Sequence, residues 1–298
     1  MELFFCSQYI GIQILQKGHV KQSMKCFLNV FKADWKRFWN IAWKLYIALA
    51  VYCILQALLF CSDMIKFIDK GRIASVSLGE CLMNLFQGAK EFYPESKSPM
   101  DIPVFEIFVL LYLLFIIAYY VNSDRSALGR SIMIASKSPV YWWVSKYIII
   151  LCAVLMYMII IVVTHMMCGL IVLGNRFKLG ISFTSEQNIK LLLGNDNIKC
   201  DTNVVLLIIL CLLCLITASA IILLMSYITN SIFGFILNLI LFIVSICYMK
   251  WFCFYNYMMM YRIPHVYNQW YLGAGLMIII NVVIMLIGII YSKRKDFL

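Results

Sequence analysis

Long apolar runs alternate with short polar segments along the chain. Six apolar windows are about 20 residues long, the length of helix that crosses a hydrocarbon core roughly 30 Å thick. They predict spans at Ile41–Cys61, Phe105–Val121, Tyr147–Leu173, Val204–Tyr227, Ile232–Met249 and Tyr271–Tyr291. The pattern therefore predicts an all-α integral membrane protein with six transmembrane helices.

A different pattern precedes the first apolar window. Between residues 20 and 39, apolar side chains recur at helical spacing while the opposite face is cationic. The apolar side chains are Val20, Met24, Phe27, Leu28, Phe31, Trp35 and Phe38. The cationic side chains are Lys21, Lys25, Lys32, Lys36 and Arg37. We predict that residues 1–40 contain an amphipathic helix lying in the membrane plane and that residues 41–298 form the six-span domain. A helix packed on a soluble partner protein is the alternative interpretation.

Composition and charge distribution narrow the class of protein. The chain is 64% hydrophobic and 13% charged, with a mean hydropathy of +0.90, which excludes an ordinary soluble domain. Residues 1–44, 122–146 and 292–298 hold 14 of the 25 Lys and Arg residues but only four of the 14 acids. Since basic residues are retained on the cytoplasmic side, both termini are predicted to be cytoplasmic. The net charge of +11 then reflects membrane topology and attraction to anionic lipid, with no nucleic-acid partner.

The segment Asn122–Lys146 joins the second and third windows on the predicted cytoplasmic side. It carries four cations against the single acid Asp124. The cations are Arg125, Arg130, Lys137 and Lys146. Ser138 as N-cap and Pro139 at the first helical position predict where the third membrane helix begins.

Short helical patterns occur in the segments predicted to lie outside. One set of apolar positions with helical spacing comprises Leu78, Cys81, Leu82, Leu85 and Phe86. The sequence Thr184–Gln187 predicts a capping box that opens a helix through Leu193. Lys250–Trp270 is rich in aromatic residues and Met and is broken by Pro264, which predicts interfacial or re-entrant pieces.

The usual motifs of catalysis and nucleotide binding do not occur in the sequence. It contains no G-x-x-x-x-G-K-[ST] phosphate loop, no H-E-x-x-H and no G-x-S-x-G. We therefore predict no catalytic, metal or cofactor site on this chain. Nearly uncharged spans also argue against an ion-coupled pump. Glu106 lies at the outer start of the second span, where it is either a functional group or an interface residue.

A few polar residues within the predicted spans are candidates to line a substrate pathway. They are Gln56, His165, Asn238 and Asn281. Hydrogen bonding between helices is the alternative role for all four.

The architecture resembles the ABC-2 type transporter permeases, the membrane subunits of type-2 ABC exporters. Two motifs carry the local resemblance. Ser136-Lys-Ser-Pro139, followed by Trp142, Trp143 and Lys146, is similar to that family's segment before its third span. The end of the chain, Tyr291-Ser-Lys-Arg-Lys-Asp296-Phe-Leu, is similar to its basic ending. The resemblance covers residues 20–298 and leaves residues 1–19 and the long first outer loop without a counterpart.

The resemblance implies how such a chain would work. Two permeases, identical or homologous, pair above two ATPase subunits that bind ATP and Mg²⁺. Residues 123–137 would form the coupling element, and residues 20–39 the connecting helix. The implied ATPase-coupling residues are Asp124, Arg125, Arg130 and Lys137. The implied connecting-helix residues are Lys21, Lys25, Lys32, Trp35, Lys36 and Arg37.

Substrate and location follow from the same resemblance. The expected substrate is amphipathic, with bacteriocin or lantibiotic peptides preferred in export or immunity, and the expected location is the bacterial cell membrane. The chain itself would not be an enzyme. A membrane-embedded sensor or scaffold, or an intramembrane enzyme without ATP coupling, is the competing interpretation.

Overall fold

A computed structural model describes residues 2–90, 92, 102–124, 138–193, 203–262 and 267–294, with side chains from Phe27 onward. Within these residues, five helices are long and apolar enough to cross a membrane. They are α1 (Glu2–Asp69), α3 (Val104–Asp124), α4 (Pro139–Leu173), α6 (Val204–Ile228) and α8 (Trp270–Arg294). Three shorter helices are α2 (Leu78–Leu85), α5 (Glu186–Leu193) and α7 (Ser231–Cys247). The prediction of a helical multi-pass membrane protein is thereby confirmed.

The predicted connecting helix and first span form one uninterrupted helix. α1 contains 68 residues and continues without a break through residues 39–41. Its buried side chains recur four residues apart at Val30, Asp34, Phe38 and Ala42. Leu28, assigned to the apolar face, is 46% exposed and lies off this buried stripe. The buried stripe lies further around the helix because it follows the contact with α4.

The fifth apolar window, Ile232–Met249, is the short helix α7, whose 17 residues rise only about 25 Å. It follows α6 after a two-residue turn, where the Asn230 side chain accepts a hydrogen bond from the Phe233 N–H at 3.0 Å. Because α6 has 25 residues, α7 ends well before it reaches the level at which α6 began. The 3₁₀ turns Phe254–Met258 and Met260–Arg262 occupy the space between the end of α7 and the level at which α6 began. The first of these turns packs on α6. Non-helical backbone at this depth is tolerated because protein surrounds it.

One end of the bundle carries a small lid, and we call this the lid end; the opposite end, beside residues 122–146, is the loop end. The lid contains α2, α5 and two short parallel strands, β1 (Val76–Ser77) and β2 (Phe177–Lys178). α2 and α5 confirm the two predicted short helices. The predicted cap of α5 was wrong by one residue, since Ser185 accepts from the Asn188 N–H at 3.2 Å. Thr184 instead donates its main-chain N–H to Glu80 at 2.6 Å.

Candidate functional site

The first turns of α4 contact several helices at the loop end. Ser138 occupies the N-cap position and Pro139 follows it, as predicted, although the Ser138 side chain makes no capping hydrogen bond. Between Ser138 and Lys146, α4 contacts residues of α1, α3, α6 and α8, as described below. We call this set of contacts the loop-end junction.

A buried ion pair joins α4 to α1 in this junction. The Lys146 ammonium donates to Asp34 Oδ1 at 2.6 Å, and the Ser145 hydroxyl donates to Asp34 Oδ2 at 2.7 Å. Both charged side chains are completely buried. Lys146 Nζ also lies 3.3 Å from the Tyr120 hydroxyl of α3. Removing one member of such a pair leaves a charge buried without its partner, so the contact fixes α1 against α4.

Two adjacent tryptophans connect the same turns to the other half of the bundle. The rings of Trp142 and Trp143 lie edge-on to Tyr227 at the end of α6, with centroids 5.0 and 5.8 Å away. Trp143 also fills the space beside Gly288 of α8, where a Cβ added to the glycine would lie 1.8 Å from the indole ring. Both indoles are almost completely buried. The start of α4 is therefore packed against α6 and α8 by aromatic contact.

The end of α3, on the other side of residues 125–137, is also held in place. The Arg37 guanidinium of α1 donates to the Ser123 main-chain carbonyl. The Ser231 hydroxyl at the start of α7 donates to Asn122 Oδ1 at 2.8 Å. Both flanks of residues 125–137 are thus bonded to neighbouring helices.

The residues predicted for coupling and for the connecting helix are only partly within the described region. Arg125, Arg130 and Lys137 lie outside the described residues, as do the side chains of Asp124, Lys21 and Lys25. Lys32 and Lys36 are exposed, consistent with a cationic face. Trp35 is half-buried beside Phe31 and Phe38.

The four pathway candidates occupy three separate hydrogen-bonded clusters. Gln56 Oε1 lies 2.6 Å from His165 Nε2, and His165 Nδ1 lies 2.7 Å from the Ile161 carbonyl oxygen. Asn238 Oδ1 accepts from the Tyr255 hydroxyl at 2.7 Å. Asn281 accepts from the Tyr147 hydroxyl at 2.8 Å and donates to Thr217 Oγ1 at 2.7 Å. These bonds match the alternative role, in which the four side chains form hydrogen bonds between helices. Gln56 also lines a cleft of about 350 Å³ at the lid end.

Two buried charged side chains at the lid end, Glu80 and Arg262, form hydrogen bonds mainly with main-chain groups. The Glu80 carboxylate accepts from the main-chain N–H groups of Ser77 at 3.0 Å and Thr184 at 2.6 Å. It also accepts from the side-chain amide of Asn188 at 3.0 Å. Its bond to Ser77 completes a capping box for α2. Burial within this lid raises the pKa of the Cys81 thiol well above its ordinary value, which keeps the thiol protonated.

Arg262 is the second of these charges and is fully buried. Its five N–H groups point towards four main-chain carbonyls and one side-chain amide oxygen. The acceptors are Ala89, Lys90, Ser245, Ile246 and Asn256 Oδ1. Ser245 and Ile246 belong to the last turn of α7, where a cation satisfies carbonyls that have no helical partner.

Glu106 lies near Arg262, beside a second lid-end cleft of about 250 Å³. Its side chain is only 1% exposed and therefore faces the interior of the protein. The two clefts share Asn84 and Phe105, so they adjoin each other.

Comparison of the chain with protein-family models, curated proteins and solved structures gives no match.

Asp34 joins helices at the loop end, and Arg262 joins main-chain segments at the lid end. Neither residue was assigned a role from the sequence. Asp34 could have been found because it shares the four-residue spacing of Val30, Phe38 and Ala42 and so lies on a buried stripe. Arg262 had a weaker signal, a cation in the middle of an aromatic segment.

Proposed function

We propose that this chain is the permease subunit of an ATP-driven exporter of the ABC-2 type, powered by a separate ATPase. The loop-end junction is the observation that carries the proposal. A force applied to residues 125–137 would meet α4 at Pro139 and α3 at Ser123, and both helices are bonded to α1. The tryptophans of α4 would pass the same movement to α6 and α8.

Membrane topology completes the proposal. If α7 crosses the membrane together with the five longer helices, the number of crossings is six, so both termini and the loop end are cytoplasmic and the lid faces outward. The positive-inside distribution of Lys and Arg supports this orientation. ATP and Mg²⁺ would bind the ATPase, and a second permease, identical or homologous, would complete the transport unit in a bacterial cell membrane.

The proposed substrate is an amphipathic peptide, of the bacteriocin or lantibiotic kind, handled in export or self-protection. The adjoining lid-end clefts support an amphipathic substrate because polar and aromatic side chains line them together. Their volumes of about 350 and 250 Å³ suit a few side chains of a ligand rather than a folded domain.

The test is purification of the tagged chain from its own cells in mild detergent. We expect an ATPase with a phosphate loop to co-purify, and we expect Arg125→Glu with Arg130→Glu to lower its recovery several-fold. Lys70→Glu with Lys178→Glu, two exposed cations of the lid end, is the matched control and should keep the ATPase bound. A wild-type chain that neither binds an ATPase nor stimulates its hydrolysis of ATP would overturn the proposal.

A further inference from the structure

One exposed face of α1 combines cations and tryptophans over little more than two turns. Lys36, Asn40 and Lys44 are spaced four residues apart and therefore lie one above another, all of them exposed. Trp39 and Trp43 form the adjacent row, each 42% exposed. Lys44 Nζ lies 5.6 Å from the centre of the Trp43 ring. We call this face the Lys–Trp face.

The position of the Lys–Trp face along α1 places it at the edge of the hydrocarbon layer. Beyond it, the exposed side chains of α1 are aliphatic, at Ile47, Val51, Leu55 and Leu58. The next charged side chain is Asp63, about 20 residues after Trp43, which corresponds to about 30 Å of helix. Because this rise equals the thickness of a hydrocarbon core, the Lys–Trp face lies at the level of lipid headgroups.

The charge of this face is of one sign. Between residues 27 and 62 the sequence contains one acid, Asp34, and that carboxylate is buried against Lys146 on the other side of α1. Along the part of α1 whose side chains are described, Lys36 and Lys44 therefore share their face with no acid. Since helical side chains lean towards the N-terminus, Lys44 leans towards Asn40, and both can offer donors to one anion.

We propose that the Lys–Trp face binds the phosphate of an anionic phospholipid such as phosphatidylglycerol. The lysine ammonium groups and the Asn40 amide supply hydrogen-bond donors to the phosphate, and the indole rings flank the glycerol and the first acyl carbons. The sequence had placed the lipid contact on residues 20–39. In the structure, Arg37 donates to Ser123 and Trp35 is half-buried, and the Lys–Trp face overlaps the end of that segment and extends it to Lys44. This inference does not depend on the proposed transport function.

The experiment measures tryptophan fluorescence of the full-length chain in lipid nanodiscs. The discs contain phosphatidylcholine together with an equal mole fraction of either bromine-labelled phosphatidylglycerol or bromine-labelled phosphatidylcholine. The signal of this face is the difference between the wild-type chain and Trp39→Phe with Trp43→Phe. We expect the anionic lipid to quench that signal at least about twice as strongly, because each nearby lysine favours anionic lipid severalfold. Equal quenching by the two lipids would overturn the proposal.

Variants separate this site from general attraction between a basic chain and anionic lipid. Lys36→Gln with Lys44→Gln should abolish the excess quenching, whereas Lys36→Arg with Lys44→Arg should keep it. Lys70→Gln with Lys178→Gln has the same change in net charge at the lid end and should also keep it. Persistence of the excess in the Gln variant would overturn the site. Loss of the excess on adding inorganic phosphate at constant ionic strength would show that free phosphate is the ligand and would also overturn it.

Discussion

The two ends of the bundle bury their charges in different ways. At the loop end, Lys146 and Asp34 bond side chain to side chain across two helices. At the lid end, Arg262 and Glu80 bond mainly to main-chain carbonyl and N–H groups. The difference reflects what each end has to hold. The ion pair fixes the register of two helices that are already complete, whereas the lid-end charges satisfy backbone in short segments that lack enough partners of their own.

The largest effect is expected when Arg262 is replaced. Arg262→Met removes the guanidinium donor from five acceptors, most of them buried, and should lower the free energy of unfolding by about 5 kcal/mol. The measurement is thermal unfolding in detergent followed with a thiol-reactive dye, since the nine free cysteines among the described residues are mostly buried. Arg262→Lys keeps three donors and should recover part of the loss. A melting temperature of Arg262→Met equal to that of the wild type would contradict the role assigned to the guanidinium.

The loop-end pair should respond differently because both partners can be removed together. Lys146→Met alone buries the Asp34 charge without its partner and should cost about 3–5 kcal/mol. Adding Asp34→Leu should restore much of that loss, since an apolar pair of similar size often replaces a buried ion pair without penalty. The same dye assay on wild type, both single variants and the double variant measures the coupling. Additive losses would mean that the two charges do not act as a pair.

Replacing Glu80 tests the hydrogen bonds that hold the lid, and we expect a smaller loss of stability than for Arg262 or Lys146. Glu80→Gln exchanges one acceptor oxygen for an N–H group that faces a donor, and we expect a cost of about 2 kcal/mol. Hydrogen exchange measured by mass spectrometry should become faster in α2 and α5 while α4 and α6 keep their protection. The exposed acid Glu186 provides the control, since Glu186→Gln should leave exchange in α2 unchanged.

The smallest effect is expected where the loop end depends on aromatic packing. Gly288→Ala places a methyl group against the Trp143 indole and should cost about 1–2 kcal/mol. Gly275→Ala lies in the same helix with open space around the added carbon, and it should be neutral or slightly stabilising. Equal melting temperatures for the two variants would show that Trp143 is not tightly held by α8.

Sequence patterns predicted the elements of this fold better than their contacts. Apolar windows located the long helices because the hydrocarbon thickness fixes how many apolar residues a crossing needs. Pro139 and the spacing of Leu78 to Leu85 located shorter features, since capping and helical periodicity are local effects. These signals depend on residues within a few turns of one another.

The contacts of the candidate site could not be predicted in the same way. Asp34 and Lys146 are 112 residues apart, and the acceptors of Arg262 include the carbonyls of Ala89 and Lys90, more than 170 residues earlier. No local pattern encodes such pairs, and a carbonyl acceptor leaves no trace in residue type. The predicted boundary between the connecting helix and the first span lay at residues 40 and 41, whereas the structure has one continuous helix whose buried stripe keeps its four-residue spacing through this point.

The early end of α7 has a consequence for how the chain assembles. A 17-residue apolar helix joined to α6 by two residues is expected to enter the bilayer with α6 as one hairpin. Arg262 can find its acceptors only after the last turn of α7 and the backbone at residues 89–90 have come together. We therefore expect its burial to be a late step of biogenesis, and chains interrupted before that step should expose an unsatisfied helix end to cellular quality control.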